Sequence, residues 1–351
     1  NLVSLSYQPT PVPWLNRGKQ NCTGDNSNRL YNDVAAAYQM ALIWKITGNT
    51  SYADVVVKIM NAWSSTLTDM GCGGGPGWDS VLMAGTQGYQ FAVVGDIMRN
   101  YSGLSAANFT AFQNMMMNVF YIPITSYEMW HQGMGRYANW VLGTVAANMA
   151  IGVLCDNQTI FQSAITWYKT GNNNGAIDKA IYFIHPGYLG QGQEAGRDQG
   201  HNTLNAGHLS AITQMAWNQG VDLYGYGNNR VLAFAEYTAK GNLKQPGTQN
   251  YYDMPFAKYR NGNLVHTAFT SDQGHLRPVW ACFYHHYVNV KGLAAPFTGL
   301  MMNQLTPDWA AGPRWANSGA FDQLGLQTLT CTIDPIPRGV APQVRGYVVA
   351  G

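Results

Sequence analysis

Apolar residues recur at three- and four-residue spacing along most of the chain, the period of a helix with one buried face. "NDVAAAYQMALIWKITGN" (32–49) predicts a helix stopped by Gly48-Asn49, and "SYADVVVKIMNAWSSTL" (51–67) a second opened by Ser51. "GTQGYQFAVVGDIMRNY" (85–101) and "SAANFTAFQNMMMNVFYI" (105–122) form a similar pair, with Ser105 as the cap of the latter. Further pairs are "ANWVLGTVAANMAIGVLCDN" with "TIFQSAITWYKTGN", and "LNAGHLSAITQMAWNQGVDLYGY" with "NRVLAFAEYTAKGN". Short Gly/Asn breaks between helices of this length make antiparallel hairpins. Alternating strand patterns are scarce, so the expected class is all-α: stacked helix pairs in an (α/α)n toroid or solenoid with a groove at its loop-rich end.

One domain is expected over 1–351. The segment from about Lys244 to Trp280, rich in Gly, Pro, Tyr and Asn, reads as long loops. "VWACFYHHYVNVKGL" resumes regular structure, and the Pro-punctuated residues 332–351 read as a peripheral extended tail. The most apolar run, "WVLGTVAANMAIGVLC" (140–155), is too short for a bilayer and reads as a buried helix.

Composition narrows the function. The chain is 46% hydrophobic and 13% aromatic, which is globular. A net charge of +2 excludes a strong global field for nucleic acid or membrane, yet leaves room for a local anion site. Five sequons, at Asn21, Asn49, Asn100, Asn108 and Asn157, point to a secreted eukaryotic glycoprotein whose signal has been removed. Five cysteines fit that setting, with one or two disulfides. Cys22 and Cys72, the two loop cysteines near the N-terminus, are the expected pair, while Cys155 ends the buried helix.

Only 11% of residues are charged, so "GQGQEAGRDQGHNTLNAGH" (190–208) stands out. It holds Glu194, Arg197, Asp198, His201 and His208 among glycines that make a poor ordinary surface helix. A site needing close backbone approach is the better reading. If the segment is helical, spacings of four and seven put Arg197, His201 and His208 on one face. A second stretch, "MWHQGMGRYANWVLGT" (129–144), offers His131, Arg136, Tyr137, Asn139 and Trp140 at the mouth of the apolar helix. A third, "WACFYHHYVNVKG", offers His285, His286 and Tyr287, of which neighbours point apart, so at most one histidine and the tyrosine share a site. No metal-ligand spacing, phosphate loop, dinucleotide motif or G-x-S-x-G is present, and no cofactor is expected.

The strings from "QGQEAGRDQGH" through "YTAKGNL" and from "YANWVLGT" through "NNNGAI" resemble the alginate-lyase-like superfamily of polysaccharide lyases, its glucuronan lyase branch above all. The resemblance spans roughly residues 30 to 300. It implies an α/α toroid and β-elimination on a 1,4-linked polyuronate, glucuronan foremost and alginate as the alternative. The implied partner is an anionic polysaccharide; a monomer is expected, and the small net charge argues against nucleic acid and membrane as partners. By resemblance Asn139 neutralises the uronate carboxylate, while Arg197 and His201 fall on the second catalytic segment. The chain departs from mannuronan-type lyases where it has Asn139-Trp140 in place of Asn-His, and where His201 stands in place of a tyrosine.

The chemistry explains these residue types. A uronate C5 proton leaves only when the neighbouring carboxylate is neutralised, since the intermediate is enolate-like. A base then takes that proton and an acid protonates the departing C4 oxygen. In glucuronate and mannuronate polymers both groups lie on one ring face, so one tyrosine can do both. Tyr287 is the candidate and Tyr137 the runner-up, with Arg136, Trp140, Glu194, His208 and His286 as substrate contacts. Two rival classes stay open: a glycoside hydrolase using two of Glu194, Asp198 and Glu236, whose carboxylates would stand about 5 to 9.5 Å apart, and a non-catalytic sugar-binding protein.

Overall fold

A computed structural model describes residues 2–18, 24–71, 78–122, 136–262, 264–312 and 321–335. The described residues divide into two compact units. The first draws on Asn1–Gln132, Gly143–Ile165 and Ala311–Arg314, and the second on Gly133–Leu142, Thr166–Ala310 and Trp315–Gly351.

In the first unit, α1 (Ser27–Thr47) and α2 (Thr50–Thr66) form an antiparallel hairpin. Gly48, at φ 72°, ends α1 by donating its N–H to the Trp44 carbonyl. Asn49 rather than Ser51 caps α2, its side chain accepting from the Ser51 N–H. α3 (Trp78–Met98) packs on α1, and α4 (Ala106–Met115) packs on α2 under a Ser105 cap before widening into a π-helical turn over Met116–Tyr121. α5 (Ala138–Leu154) starts in the second unit and runs on into the first, where a Cβ at Gly85 would lie 2.8 Å from the Gly143 backbone. Small residues at that contact let α3 and α5 approach closely. Asp33, buried on α1, ties the N-terminal segment down by accepting from Tyr7, the Thr10 N–H and the Trp63 indole.

The second unit holds the end of α6 (Gln158–Thr170), the short α7 (Ile177–Ala180), α8 (Gln199–Asn218), α9 (Tyr226–Asn242), α10 (Trp280–Tyr284, continued by a π-helical turn over His285–Val290), α11 (Pro296–Gln304) and α12 (Gln327–Thr330). α9 is its central element, packing on α7, α8 and α11, and its core is built from Phe234, Tyr237, Leu209, Ile212, Tyr224 and Tyr287. Glu236 on α9 accepts from the Phe297 and Thr298 N–H groups, capping α11.

Among the described residues β-structure is confined to two-stranded pieces. β1 (Trp14–Leu15) pairs with β2 (Asp69–Met70), and β3 (Phe183–His185) pairs with β4 (Leu189–Gln191) against α9. The stretch read as long loops contains a hairpin, β5 (Tyr259–Asn261) with β6 (Leu264–His266), that sets Tyr259 opposite His266. Gly262, at φ 58°, supplies the left-handed conformation that its turn requires.

The disulfide among the described residues joins Cys282 on α10 to Cys331 after α12, across 49 residues of sequence. Cys22 and Cys72 lie outside the described residues. Cys155 is a free thiol, pushed up to about 11 by burial. Among the described residues no helix is long and apolar enough to cross a membrane.

Candidate active site

The glycine-broken stretch is a strand, a tight turn and a helix start. Gly190 and Gly192 lie where a Cβ would stand 2.8 Å from the Phe234 nitrogen and 2.6 Å from its ring, so β4 and the residue after it can lie directly on α9. The Arg197 N–H closes a turn onto the Glu194 carbonyl. Inside that turn a Gly196 Cβ would meet His266 Cβ at 2.6 Å and the Ala268 carbonyl at 2.7 Å. Close backbone approach is therefore what these glycines provide. Helix α8 begins only after Asp198, its cap. Arg197 thus precedes the helix, and the one-face arrangement of Arg197, His201 and His208 does not form.

Glu194 is the hub. It has no exposed surface, and each of its oxygens takes two donors. Oε1 accepts from Asn139 Nδ2 at 2.5 Å and Arg197 at 2.9 Å. Oε2 accepts from Asn205 Nδ2 at 2.7 Å and the Asn139 N–H at 3.2 Å. Burial pushes the Glu194 carboxyl up, and nearby His201 and Arg197 with these donors pull it back. Such a carboxylate, once stripped of a partner, is strongly destabilising. It therefore fixes Asn139, at the start of α5, and Arg197 relative to each other. Asn139 is itself fully buried.

The groups that reach the surface surround this hub. Asp198 accepts from the His201 N–H at 2.8 Å and from His201 Nδ1 at 2.7 Å. Despite half-burial, the His201 contacts and Arg197 hold the Asp198 carboxyl down at about 2. Because an ionised carboxylate only accepts, Nδ1 of His201 carries the proton. Nε2 of His201 makes no hydrogen bond among the described residues. Arg197 lies over the Tyr137 ring, 4.6 Å from its centre. The Tyr137 hydroxyl is 2.5 Å from His266 Nε2, and the two rings stack at 5.7 Å. Burial raises the Tyr137 phenol while Arg197 opposes the rise. Burial and Arg197 lower His266, with Asp198 pulling the other way.

Of the residues singled out in the sequence, Tyr137, Asn139, Glu194, Arg197, Asp198 and His201 come together. Arg136 lies over the Trp140 ring at 5.2 Å, and Asn174 holds the Arg136 carbonyl beside Tyr137. His208 is fully buried, hydrogen-bonded to the Asn139 backbone and held neutral at about 3 by burial. It supports Asn139 from below and touches no solvent.

Tyr287 and His286 are corrections. Tyr287 has no exposed surface and its hydroxyl donates to the Tyr224 carbonyl at 2.9 Å. His286 is stacked on Tyr224 at 3.7 Å, with Trp217 edge-on, and burial lowers it to about 3. Both are core residues. His285 is bonded to Asn289 and Thr332 instead. His131 and Asn21 lie outside the described residues. Asn49 and Asn100 are exposed, whereas Asn108 and Asn157 are partly buried.

His266 and its stacking partner Tyr259 escaped the sequence reading. The one signal was the Gly262-Asn263 dipeptide, a two-residue hairpin-turn cue.

A family profile described as Alginate lyase matches residues 6–248. Solved structures similar to this chain include alginate lyase A1-III from Sphingomonas species A1, at 14% identity and TM-score 0.51, covering 67% of this chain and 68% of that one. Another is a tyrosine-to-phenylalanine variant of alginate lyase A1-III complexed with a tetrasaccharide, at 15% identity and TM-score 0.51, covering 67% of each chain. The likeness establishes the fold, the α/α-toroid class of antiparallel helix pairs. No curated protein sequence matches the chain.

Proposed function

The chain belongs to the alginate lyase family, and on that premise we propose that it cleaves a 1,4-linked glucuronate polymer by one-sided β-elimination, with Tyr137 as the proton-transfer group. It is a polysaccharide lyase acting on uronates. Polymannuronate, the alginate alternative, has the same ring geometry at C4 and C5 and is the second substrate this site accommodates.

The observation that carries the reading is the Tyr137–His266 pair at 2.5 Å beside the Arg197 guanidinium. His266 accepts the phenol proton, and Arg197 stabilises the phenolate across the ring face. The phenolate takes the C5 proton of the uronate. Electrons move from C5 into the C4–C5 bond as the C4–O bond breaks, and the same phenol returns its proton to the leaving oxygen. A single tyrosine on one side of the sugar suits polymers whose C5 hydrogen and C4 oxygen share a face.

Arg197 and His201 neutralise the substrate carboxylate, because they reach the surface. Asn139 lies one layer deeper and holds Arg197 in register through Glu194. The hydrolase alternative loses its carboxylates: Glu194 is saturated by four donors, Glu236 caps α11, and Asp198 is committed to His201. Exposed Asn49 and Asn100, and the Cys282–Cys331 disulfide, support a secreted glycoprotein.

The test is incubation with glucuronan, polymannuronate and polyguluronate, following the ultraviolet absorbance of the unsaturated uronate product. Growth of that chromophore on the first two is expected. Reducing ends without the chromophore would sink elimination, and action confined to polyguluronate would sink the one-sided geometry.

A further inference from the structure

We infer that the second unit carries a further binding site, separate from the Tyr137–His266 pair, for the carboxylates of a uronate-bearing glycan chain. A cavity of about 560 Å³ lies between the end of α6, the 171–179 segment and the start of α9. That volume falls within the roughly 300–1,000 Å³ of small-molecule sites. Its lining includes Lys169, Lys179 and Arg230, against one carboxylate, Asp178, and one aromatic ring, Tyr226.

Asp178 attracts Arg230 at longer range, but none of the three cations forms a close ion pair among the described residues, whereas Arg99, Arg197, Arg277 and Lys291 all do. Lys169 rests over the Tyr226 ring at 5.2 Å. Lys179 donates to the Gly171 carbonyl, and Arg230 Nε donates to the Ile181 carbonyl at 2.7 Å, leaving its terminal nitrogens without hydrogen bonds among the described residues. Burial lowers the Arg230 guanidinium. Three half-buried cations facing one carboxylate leave an excess of positive charge that an anionic ligand stabilises.

The wall beside Tyr226 carries an unusual backbone. Gly227, Asn228 and Asn229 all adopt left-handed backbone conformations, at φ 62°, 59° and 58°. Consecutive non-glycine residues in that region are unfavourable and cluster at ligand-binding places. Here they kink the first turn of α9, and regular helix follows from Arg230, whose guanidinium lines the cavity.

The ligand class follows from what the site offers and from its neighbour. Separate cations, a ring edge and an amide (Asn172) suit carboxylates spaced along a sugar chain. The cavity is also braced to the catalytic cluster. Gln193 donates to the Lys179 carbonyl at 2.9 Å and accepts from the Ala138 N–H at 3.0 Å, next to Tyr137 and Asn139. The same polymer can therefore be held at one place and cut at the other. The uronate assignment rests on the lyase reading, while the existence of the site does not.

The test uses Lys169→Gln/Lys179→Gln, which keeps the side-chain stems, in native gels containing glucuronan, a sulfated glycan or a neutral glucan. Retardation by glucuronan is expected to weaken about five- to tenfold in the double variant and to fade with salt. Its turnover of a short glucuronate oligosaccharide should match the parent. Unchanged retardation overturns the site. Equal, lysine-dependent retardation by the sulfated glycan overturns the uronate assignment. If the parent cleaves no uronate polymer but still shows lysine-dependent retardation specific to glucuronan, the lyase reading fails and this site stands.

Discussion

At the residue scale, the decisive feature is which tyrosine meets a proton acceptor. Tyr137 meets His266, whereas Tyr287 donates to a backbone carbonyl in the core. Tyr137→Phe is expected to lower kcat by about 10²- to 10⁴-fold with the fold intact, as for loss of a positioned acid–base group. Tyr287→Phe should keep its activity and lose on the order of 1 kcal/mol of stability, having left a buried carbonyl without its donor. Steady-state kinetics beside thermal melts distinguish the two, and the reverse pattern would place the chemistry on Tyr287. His266 must be neutral to accept the phenol proton. Burial and Arg197 lower it, so it gains its proton only below the ordinary histidine range near 6.5. Activity should accordingly persist below about pH 6.5, and His266→Gln should abolish the acid limb of the kcat/KM profile. A limb of unchanged position in that variant would assign it to another group.

At the element scale, the turn before α8 and strand β6 are interlocked through one missing Cβ. Gly196→Ala would place a methyl 2.6 Å from His266 Cβ and 2.7 Å from the Ala268 carbonyl, forcing the turn and the hairpin apart. Overpacking of this kind costs about 1–3 kcal/mol. The larger effect should fall on catalysis, because Arg197 and Tyr137 sit on one side of that contact and His266 on the other. A drop in kcat exceeding the stability loss is the expected outcome, and a variant with parental kcat would show that the register of β6 does not matter. Helix boundaries were legible for local reasons: Gly48 and Ser105 act as their residue types predict. The β5–β6 hairpin was missed because each strand has only three residues, too short for alternation to emerge from a Gly- and Asn-rich background.

At the scale of the whole molecule, two buried histidines set the response to acid. Burial holds His208 and His286 at about 3, so both stay neutral in the native state well below the ordinary histidine value. The unfolded chain binds protons near pH 6.5, where the native state does not. Their contribution to stability is complete above that pH and is lost progressively as pH falls toward about 3. Near pH 4.5 the loss should be roughly 2–3 kcal/mol for each. Melting temperature should decline between about pH 7 and 4.5, and His286→Phe should flatten that decline. A melting temperature insensitive to pH over this interval would mean that neither histidine is buried uncharged.

The sequence by itself determined the helices, because apolar spacing, Gly stops and Ser or Asx caps act within a few residues of where they are read. It also determined where charge is concentrated: Glu194, Arg197, Asp198 and His201 lie within eight residues, and Asp198 caps the very helix that carries His201. Tertiary structure alone decided how that charge is used. His266 reaches Tyr137 across 129 residues, and Glu194 reaches Asn139 across 55, distances over which no periodicity carries information. Proximity in sequence misled in the opposite way, since His285, His286 and Tyr287 look like a reactive cluster. Consecutive helical side chains diverge, and the core took two of them because burying a ring beside Tyr224 and Trp217 removes more apolar surface from water than a groove would.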